Sequence, residues 1–214
     1  MTLVDGFLDR ADAGRHLAVA LAAYANRGDV VVLGLPRGGV PVAYEVAREL
    51  AAPLDVFVVR KLGVPGHEEL AMGAIAAGGI EILNREVIDQ VGVSRDLVDR
   101  VAARERNELQ RREAAFRGGR GPVDVAGKTV VAVDDGLATG STMEAAIAAL
   151  RLLNPSRIVV AVPVGAEDTC KRLSTAADEV VCLVTPRPFQ AVGQWYADFS
   201  QTSDDDVRAL LSGR

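Results

Sequence analysis

Val-Val-Ala-Val-Asp-Asp-Gly-Leu-Ala-Thr-Gly-Ser-Thr, residues 130–142, is the segment that decides the fold. It joins a continuous apolar run, typical of a strand buried on both faces, to two adjacent carboxylates and a loop of small residues. A strongly helical sequence begins directly afterwards, at Met143. The pattern predicts a strand over 129–133, acids at its carboxyl end, and a loop that turns into a helix N-terminus.

The loop after this strand has the chemistry of an anion site. A helix N-terminus presents unpaired N–H groups and a partial positive charge, and glycines let the backbone approach an anion closely. The residues that would contact a phosphate are Gly136, Ala138, Thr139, Gly140, Ser141 and Thr142. Asp134 and Asp135, just before them, can accept hydrogen bonds from hydroxyl groups. Together they indicate a ribose 5-phosphate site. The alternative is an ordinary strand-to-helix loop whose acids only cap the turn.

Other phosphate motifs do not fit this chain. The Gly-Lys-Thr at 127–129 lacks the earlier glycine of a P-loop, and the glycines of 34–39 do not have the spacing of a dinucleotide-binding turn. The Arg-Gly-Gly at 37–39 would instead form a backbone anion nest with a fixed charge at a helix entry. Because loops at the carboxyl edge of a parallel sheet gather around one crevice, we expect it to face 130–142. A helix-opening turn with an incidental arginine is the alternative.

The composition restricts the class of protein. The chain has 214 residues, a net charge of −5, 49% hydrophobic and 25% charged residues, which is typical of a globular domain and argues against nucleic acid as the main partner. Cys170 and Cys182 have neither metal-site spacing nor a disulfide framework. No apolar run has the length of a membrane span or a signal peptide. We therefore expect a cytoplasmic protein with no membrane or nucleic-acid partner.

Strand and helix patterns alternate along most of the chain and predict an α/β fold, with a mostly parallel central sheet flanked by helices. Strands are expected at 30–34, 55–59, 129–133, 158–162 and 179–183, and helices at 11–27, 40–50, 142–153 and 166–176. Residues 62–69 are predicted to form a polar loop that can move, and residues 72–83 a short hairpin. Residues 1–214 are interpreted as a single domain.

Two regions depart from this alternation. Residues 84–122 carry no strand signal, and Asn84 and Ser94 would cap a short helix and a long charged helix. We interpret them as an insertion packed over the sheet, either a cover or a dimerisation arm, which leaves a homodimer open. Residues 185–214 hold four of the nine aromatic residues and end in a helix capped by Ser203.

The segment 130–142 and the Arg-Gly-Gly loop resemble the phosphoribosyl diphosphate (PRPP) motif and the pyrophosphate loop of type I phosphoribosyltransferases. The resemblance covers residues 28–83 and 124–184, and is strongest to uncharacterised bacterial phosphoribosyltransferase-like proteins with a helical insertion. It implies the type I phosphoribosyltransferase fold, with a hood formed by 84–122, by the C-terminal segment, or by both. These two parts differ from those of the purine and pyrimidine salvage enzymes. The resemblance therefore leaves the nitrogenous acceptor unidentified.

The same resemblance implies a reaction in which a nitrogen nucleophile displaces pyrophosphate from C1 of PRPP. Asp134 and Asp135 would hold the ribose 2- and 3-hydroxyls, and the loop after them the 5-phosphate. Mg²⁺ would be the cofactor, with no protein ligand assigned to it. A non-catalytic regulatory protein that binds PRPP or a nucleotide is the second interpretation, and a hydrolase or phosphorylase acting on a ribosyl phosphate is the third.

The remaining site residues are also assigned from the resemblance. Arg37, Gly38 and Gly39 would bind the pyrophosphate, with a non-proline cis peptide expected at Pro36–Arg37 or Arg37–Gly38. Lys61, at the expected end of the second strand, would contact the pyrophosphate too, unless it is only a solvated charge. Both cations favour an enzyme, because a sensor of a nucleoside monophosphate needs no pyrophosphate loop.

The acceptor pocket is the least determined part of the site. Three of the C-terminal aromatic residues follow the last predicted strand, where the chain can return to the crevice, and they would stack on the acceptor: Phe189, Trp195 and Tyr196. A hydrophobic patch that only holds the C-terminus against the core is the alternative.

Overall fold

Eight strands form two sheets in the computed structural model, which describes residues 6–213 except for the side chains of residues 68 and 69. The strands are β1 (Val30–Gly34), β2 (Leu54–Val56), β3 (Val59–Val64), β4 (His67–Ala76), β5 (Ile80–Leu83), β6 (Thr129–Val133), β7 (Arg157–Val164) and β8 (Glu179–Val184). The central sheet has the order β2-β1-β6-β7-β8, and every neighbouring pair in it is parallel. The predicted single domain extends at both ends beyond the described residues.

Seven α-helices surround the sheets within the described residues 6–213. They are α1 (Arg10–Ala20), α2 (Gly39–Glu49), α3 (Arg85–Val91), α4 (Arg95–Arg117), α5 (Ser141–Leu152), α6 (Glu167–Leu173) and α7 (Asp204–Ser212). Successive residues of a strand point to opposite faces of the sheet. Val32 of β1 therefore packs with α1 and α2, whereas Leu33 packs with α5 on the other face. Because helices cover both faces, the central strands are continuous apolar runs.

The region after β1 and α2 differs from the prediction. The expected strand 55–59 is divided: Leu54–Val56 pairs with β1, and Val59 begins a separate antiparallel sheet of order β3-β4-β5. The prediction of a mobile loop at 62–69 is also wrong, because β3 and β4 pair as a hairpin through these residues, with a turn at 65–66. The hairpin predicted within 72–83 is confirmed by the antiparallel pairing of β4 with β5.

The two helices of the insertion begin at the predicted caps. The Asn84 side chain accepts a hydrogen bond from a backbone N–H in the first turn of α3, and the Ser94 side chain accepts one from a backbone N–H in the first turn of α4. The long helix buries apolar residues in one cluster with the small sheet and α7, namely Val98, Val101, Ala102, Leu109 and Phe116. At its end, Arg117 Nε lies 3.0 Å from Asp55 Oδ1, and both side chains are 8% exposed. The insertion therefore covers the small sheet and is tied to the β2 edge of the central one.

The rest of the chain follows the predicted order. Ser203 and Asp206 form a reciprocal capping box at the start of α7. The predicted helix 11–27 is shorter, because α1 ends at Ala20 and a single 3₁₀ turn follows at Ala22–Tyr24. Among the described helices, none combines the length and the apolar character needed to cross a membrane.

Candidate functional site

The two acids lie at the carboxyl end of the fully buried strand β6. The backbone N–H of Asp135 donates to Asp134 Oδ1 at 2.9 Å, and Arg10 Nε donates to Asp135 Oδ2 at 2.8 Å. Tyr196 donates its hydroxyl to the Asp135 carbonyl oxygen at 2.6 Å. Asp135 is therefore held by contacts from other parts of the fold, as a preorganised binding site requires, and Asp134 is held by the backbone of its neighbour.

Burial raises the pKa of both carboxyl groups, but only the carboxyl group of Asp135 is hydrogen-bonded to Arg10. Burial, and then the charge of Asp135, raise the pKa of Asp134 well above its usual range. Burial also raises the pKa of Asp135, and the hydrogen bond and charge of Arg10 oppose that rise. A pair of crowded carboxylates attracts hydrogen-bond donors and cations, because either relieves the repulsion.

The loop after the acids surrounds a cavity of about 190 Å³. Its lining includes Asp134, Gly136, Leu137, Ala138, Thr139, Gly140, Ser141, Thr142 and Val192. Gly140 caps α5 in the left-handed conformation (φ 73°) and supplies no capping side chain. The first N–H groups of α5 are therefore open to a ligand, which is the arrangement that suits a phosphate.

Helix α6 holds this loop from outside. Thr169 Oγ1 donates to the carbonyl of Ala138, and Arg172 Nη2 donates to that of Thr139, each at 2.7 Å. The loop carbonyls are thus occupied on the α6 side. The hydroxyls of Thr139 and Ser141 lie 3.3 Å apart at the rim.

The Arg-Gly-Gly loop at 37–39 packs directly on the acid pair, as expected for two loops at one sheet edge. A Cβ on Gly39 would lie 2.6 Å from the Val133 carbonyl and 2.8 Å from the Asp134 Cα, and one on Gly38 would overlap Asp135 Oδ2. Glycine is therefore required at both positions for this close approach. The expected cis peptide is found at Pro36–Arg37. The Arg37 guanidinium lies 3.5 Å from Asp204 at the start of α7.

Lys61 lies elsewhere than predicted. It belongs to β3 of the small sheet, not to the end of a central strand, and its Nζ donates to Ser141 Oγ at 3.2 Å. The neighbouring Arg60 pairs with Glu105 of the insertion. Lys61 therefore contacts the predicted 5-phosphate loop, and the positional reason for assigning it to pyrophosphate no longer holds.

The C-terminal aromatic residues gather at the carboxyl ends of β7 and β8. Tyr196 is buried and packs against Phe7 in a tilted arrangement, with ring centroids 5.6 Å apart. Phe189 and Trp195 pack around the same cluster. The Phe7 N–H donates to the Trp195 carbonyl at 2.8 Å. These contacts hold the C-terminal segment against the start of the chain, and Val192 brings the segment to the cavity.

Arg10 was not found by sequence reasoning. It lies 125 residues from Asp135 along the chain, so no local pattern links the two. The only local signal is Asp9, which caps α1 and so fixes where the helix starts. Within residues 6–213, leaving aside the side chains of residues 68 and 69, no cluster of three or more histidine, cysteine or acidic side chains could hold a metal alone. An Mg²⁺ bound here would need oxygens from a substrate besides the acid pair, which is its usual mode of binding.

A profile of the family described as the phosphoribosyl transferase domain matches residues 5–76 and 66–196. The chain belongs to this family. A provisionally named phosphoribosyl transferase of Mycobacterium tuberculosis is 52% identical over 205 residues, which cover 96% of this chain and 46% of that protein. The chain thus spans about half the length of the curated mycobacterial relatives that it matches.

Two further relatives are a solved structure and a curated protein. The crystal structure of TT1426 from Thermus thermophilus has a TM-score of 0.86 and 46% identity, and the match covers 96% of this chain and 97% of that one. The bifunctional protein PyrR of a Roseiflexus species is 33% identical over 150 residues, which are 64% of this chain and 76% of PyrR. The predicted type I phosphoribosyltransferase fold, a parallel sheet flanked by helices, is confirmed.

Proposed function

We propose that the protein transfers the phosphoribosyl group of PRPP to a nitrogenous acceptor and releases pyrophosphate. The observation that carries this proposal is the contact of the Asp134–Asp135 pair with two glycine-containing loops. The Arg-Gly-Gly loop packs on the acids from one strand, and the open N-terminus of α5 follows them directly. One substrate with a ribose between two phosphate groups would fill all three parts.

In the proposed reaction, a nitrogen lone pair of the acceptor forms a bond to C1 of the ribose. The bond from C1 to the pyrophosphate oxygen breaks, and its electron pair leaves with pyrophosphate. Positive charge develops on the ribose ring as the leaving group departs. Asp134 and Asp135 would accept hydrogen bonds from the ribose hydroxyls, and their negative charge would favour that developing cation. Catalysis by positioning and electrostatics requires no covalent intermediate with the protein.

The phosphate groups would be held at the two loops. Backbone amides at Thr139–Thr142 would bind the 5-phosphate, together with the hydroxyls there and Lys61 Nζ. Arg37 and the Gly38–Gly39 backbone would bind the leaving pyrophosphate. Mg²⁺, when bound with PRPP, supplies positive charge to the pyrophosphate, and the carboxylates of the acid pair are ligands that it accepts.

The acceptor would lie where the C-terminal segment meets the cavity. Val192 lines the cavity, and Phe189 and Trp195 pack beside it. Tyr196 would act mainly through its hydroxyl, which supports the Asp135 backbone. An apolar wall beside a few backbone polar groups suits a planar nitrogenous ring.

A second candidate function is the binding of PRPP or a nucleotide without transfer. The position of Lys61 favours this candidate. Lys61 contacts Ser141, so only Arg37 remains of the two cations that were assigned to a pyrophosphate leaving group. The two candidates share the ribose site and differ only in turnover.

Titration calorimetry with Mg²⁺–PRPP, followed by a pyrophosphate-release screen across nitrogenous bases, tests the proposal. We expect binding of PRPP and release of pyrophosphate with at least one acceptor. The double variant Asp134→Asn, Asp135→Asn should lose PRPP binding. Asp29→Asn is the matched control, because its carboxylate pairs with Arg27 at the opposite edge of the sheet. PRPP binding without release for any acceptor would favour the second candidate, and unchanged affinity in the double variant would contradict both.

A further inference from the structure

The two cysteines of the chain lie beside each other between α6 and β8. Cys170 is in the middle of α6, Cys182 is near the end of β8, and both are free thiols that are partly exposed. A Cβ built on Gly165 would lie 2.8 Å from Cys170 Sγ and 3.3 Å from Cys182 Sγ. The two sulfurs therefore border the same small space beside Gly165.

The two thiols differ in how readily they ionise. A hydrogen bond from Cys182 lowers the pKa of the Cys170 thiol, although burial opposes this. The same hydrogen bond, and then burial, raise the pKa of the Cys182 thiol. With both groups protonated, the Cys182 thiol donates to the Val184 carbonyl at 3.3 Å. Because the thiolate is the nucleophile of cysteine chemistry, Cys170 is the one of the two that reacts first.

Helix α6 connects this thiol pair to the loop that would bind the 5-phosphate. Thr169 precedes Cys170 in the helix and donates to the carbonyl of Ala138 at 2.7 Å. Arg172 of the same helix donates to the carbonyl of Thr139, also at 2.7 Å. A shift of α6 by about 1 Å would stretch these contacts beyond the range of a hydrogen bond. The position of α6 is therefore transmitted to the loop.

The loop also meets the thiol pair at Leu137. A Cβ built on Gly165 would lie 3.2 Å from Leu137 Cβ, in the space that the two sulfurs border. The Leu137 N–H donates to the Val164 carbonyl at 2.9 Å, and the Ala166 N–H donates to the Leu137 carbonyl at 2.8 Å. The start of the loop and the two thiols are thus packed against the same turn between β7 and α6, where little free space separates them.

We propose that Cys170 and Cys182 are a modification site, at which a hydroperoxide forms an intramolecular disulfide and thereby weakens phosphate binding at the loop before α5. This inference rests on the proposed function, because the ligand whose binding changes is the phosphate assigned to that loop. A disulfide formed in this way is reversed by a thiol reductant, so the modification can regulate the site.

The chemistry needs the two thiols and hydrogen peroxide as the oxidant. The Cys170 thiolate attacks one oxygen of the peroxide, the O–O bond breaks, and hydroxide leaves and takes up the proton that Cys170 had lost. Cys170 is then a sulfenic acid. The Cys182 thiol attacks the Cys170 sulfur, the S–O bond breaks, and the hydroxyl group leaves as water with the Cys182 proton. Two thiols are oxidised to one disulfide, and one peroxide is reduced to two molecules of water.

The disulfide changes the loop because it moves α6. An S–S bond is about 2.05 Å long, which is well inside the contact distance of two sulfurs that are not bonded. Strand β8 is held by its pairing with β7, from Glu179 to Val184. Helix α6 has an exposed outer side, so the approach of the sulfurs is accommodated mainly by the helix. Its hydrogen bonds to the loop carbonyls are lost as it moves.

The test measures binding of ribose 5-phosphate by calorimetry before and after treatment with hydrogen peroxide, with mass spectrometry to identify the oxidised residues. We expect a disulfide between Cys170 and Cys182 within one chain. The affinity should fall by roughly two- to tenfold, as the loss of a hydrogen bond that positions the loop predicts, and should recover after reduction by dithiothreitol.

Two serine variants are the matched controls. Cys170→Ser should bind ribose 5-phosphate like the reduced wild type and keep its affinity after peroxide treatment. Cys182→Ser should stop at the sulfenic acid on Cys170, which dimedone traps for mass spectrometry. A wild-type protein that forms no disulfide within the chain, or a disulfide that leaves the affinity unchanged, would overturn the proposal. An equal loss of affinity in peroxide-treated Cys170→Ser would overturn it too, because the peroxide would then act elsewhere.

The two proposals fail in different ways. Reduced protein that binds no ribose 5-phosphate would contradict the proposed function. In that case the NMR signals of the Thr139–Thr142 amides test the thiol pair, because they should shift when the disulfide forms, and unchanged signals would overturn the coupling. Reduced protein that binds ribose 5-phosphate, with thiols and affinity that peroxide leaves unchanged, would contradict the role of the thiol pair alone.

Discussion

Replacing Asp134 by asparagine should raise the stability of the fold and weaken PRPP binding at the same time. The asparagine side chain keeps an oxygen in place to accept from the Asp135 N–H, which now donates to Asp134 Oδ1 at 2.9 Å. It removes the negative charge, which burial and the neighbouring Asp135 make unfavourable. The two effects have opposite signs because the feature that would bind ribose is costly to the empty protein.

The stability change follows from the difference between the pKa of Asp134 in the native state and its pKa in the unfolded state. The native pKa of Asp134 is raised, so wild-type stability falls as the pH rises above the unfolded value of about 3.9 and levels off above the native pKa. Each unit of that rise corresponds to on the order of 1 kcal/mol at neutral pH. For a chain of this length, 1 kcal/mol raises the melting temperature by about 2–4 °C. Asp134→Asn should therefore melt higher than the wild type at pH 7, and near the wild-type temperature at pH 4.

The binding change follows from the lost charge. A hydrogen bond from a ribose hydroxyl to a carboxylate contributes about 1.5–3 kcal/mol, which is roughly a ten- to hundredfold change in affinity. Thermal unfolding by calorimetry at pH 4 and pH 7, with PRPP titration at pH 7, measures both effects. A variant that melts lower than the wild type at pH 7 would refute the reasoning on charge. Unchanged PRPP affinity would refute the ribose assignment.

Three further predictions test other parts of the account. Gly39→Ala should lower the free energy of unfolding by about 1–3 kcal/mol and weaken PRPP binding, because its Cβ would lie 2.6 and 2.8 Å from backbone atoms of Val133 and Asp134. Chemical unfolding measures the loss of stability, and Gly28→Ala is the control because a Cβ there would meet no atom within 4 Å. Arg117→Met should cost about 3–5 kcal/mol in urea unfolding, because it leaves Asp55 buried without its cation, and a cost near zero would mean that the pair is solvated. Lys61→Met should weaken binding of ribose 5-phosphate more than binding of pyrophosphate, since Lys61 contacts Ser141; calorimetry with each ligand decides, and the reverse order would restore Lys61 to the pyrophosphate.

The parts of the fold that local chemistry determines were predictable from sequence. The strand before Asp134 and the loop after it were recognised because a buried strand, a loop of glycines and small residues, and a helix start each have their own local pattern. The helices of the insertion were recognised for the same reason, since Asn84 and Ser94 are side-chain caps. Such features need no knowledge of distant residues.

The errors arose where distant pairing decides the structure. Residues 54–59 read as one continuous strand, yet the first half pairs with β1 and the residue that ends the segment starts a hairpin with β4. Strand pairing of this kind is fixed by the partner, which the run itself does not reveal. Lys61 was misplaced as a result. Arg10 reaches Asp135 only because α1 packs against α2 and β7, an arrangement that no spacing in the sequence encodes.

The most direct measurement of the central claim is a crystal structure of the protein with ribose 5-phosphate bound. We expect the phosphate at the N-terminus of α5, within hydrogen-bond distance of the amides at Thr139–Thr142, and the ribose hydroxyls on the Asp134 and Asp135 carboxylates. A phosphate bound at the Arg-Gly-Gly loop with the α5 terminus empty, or a ribose turned away from both acids, would contradict it.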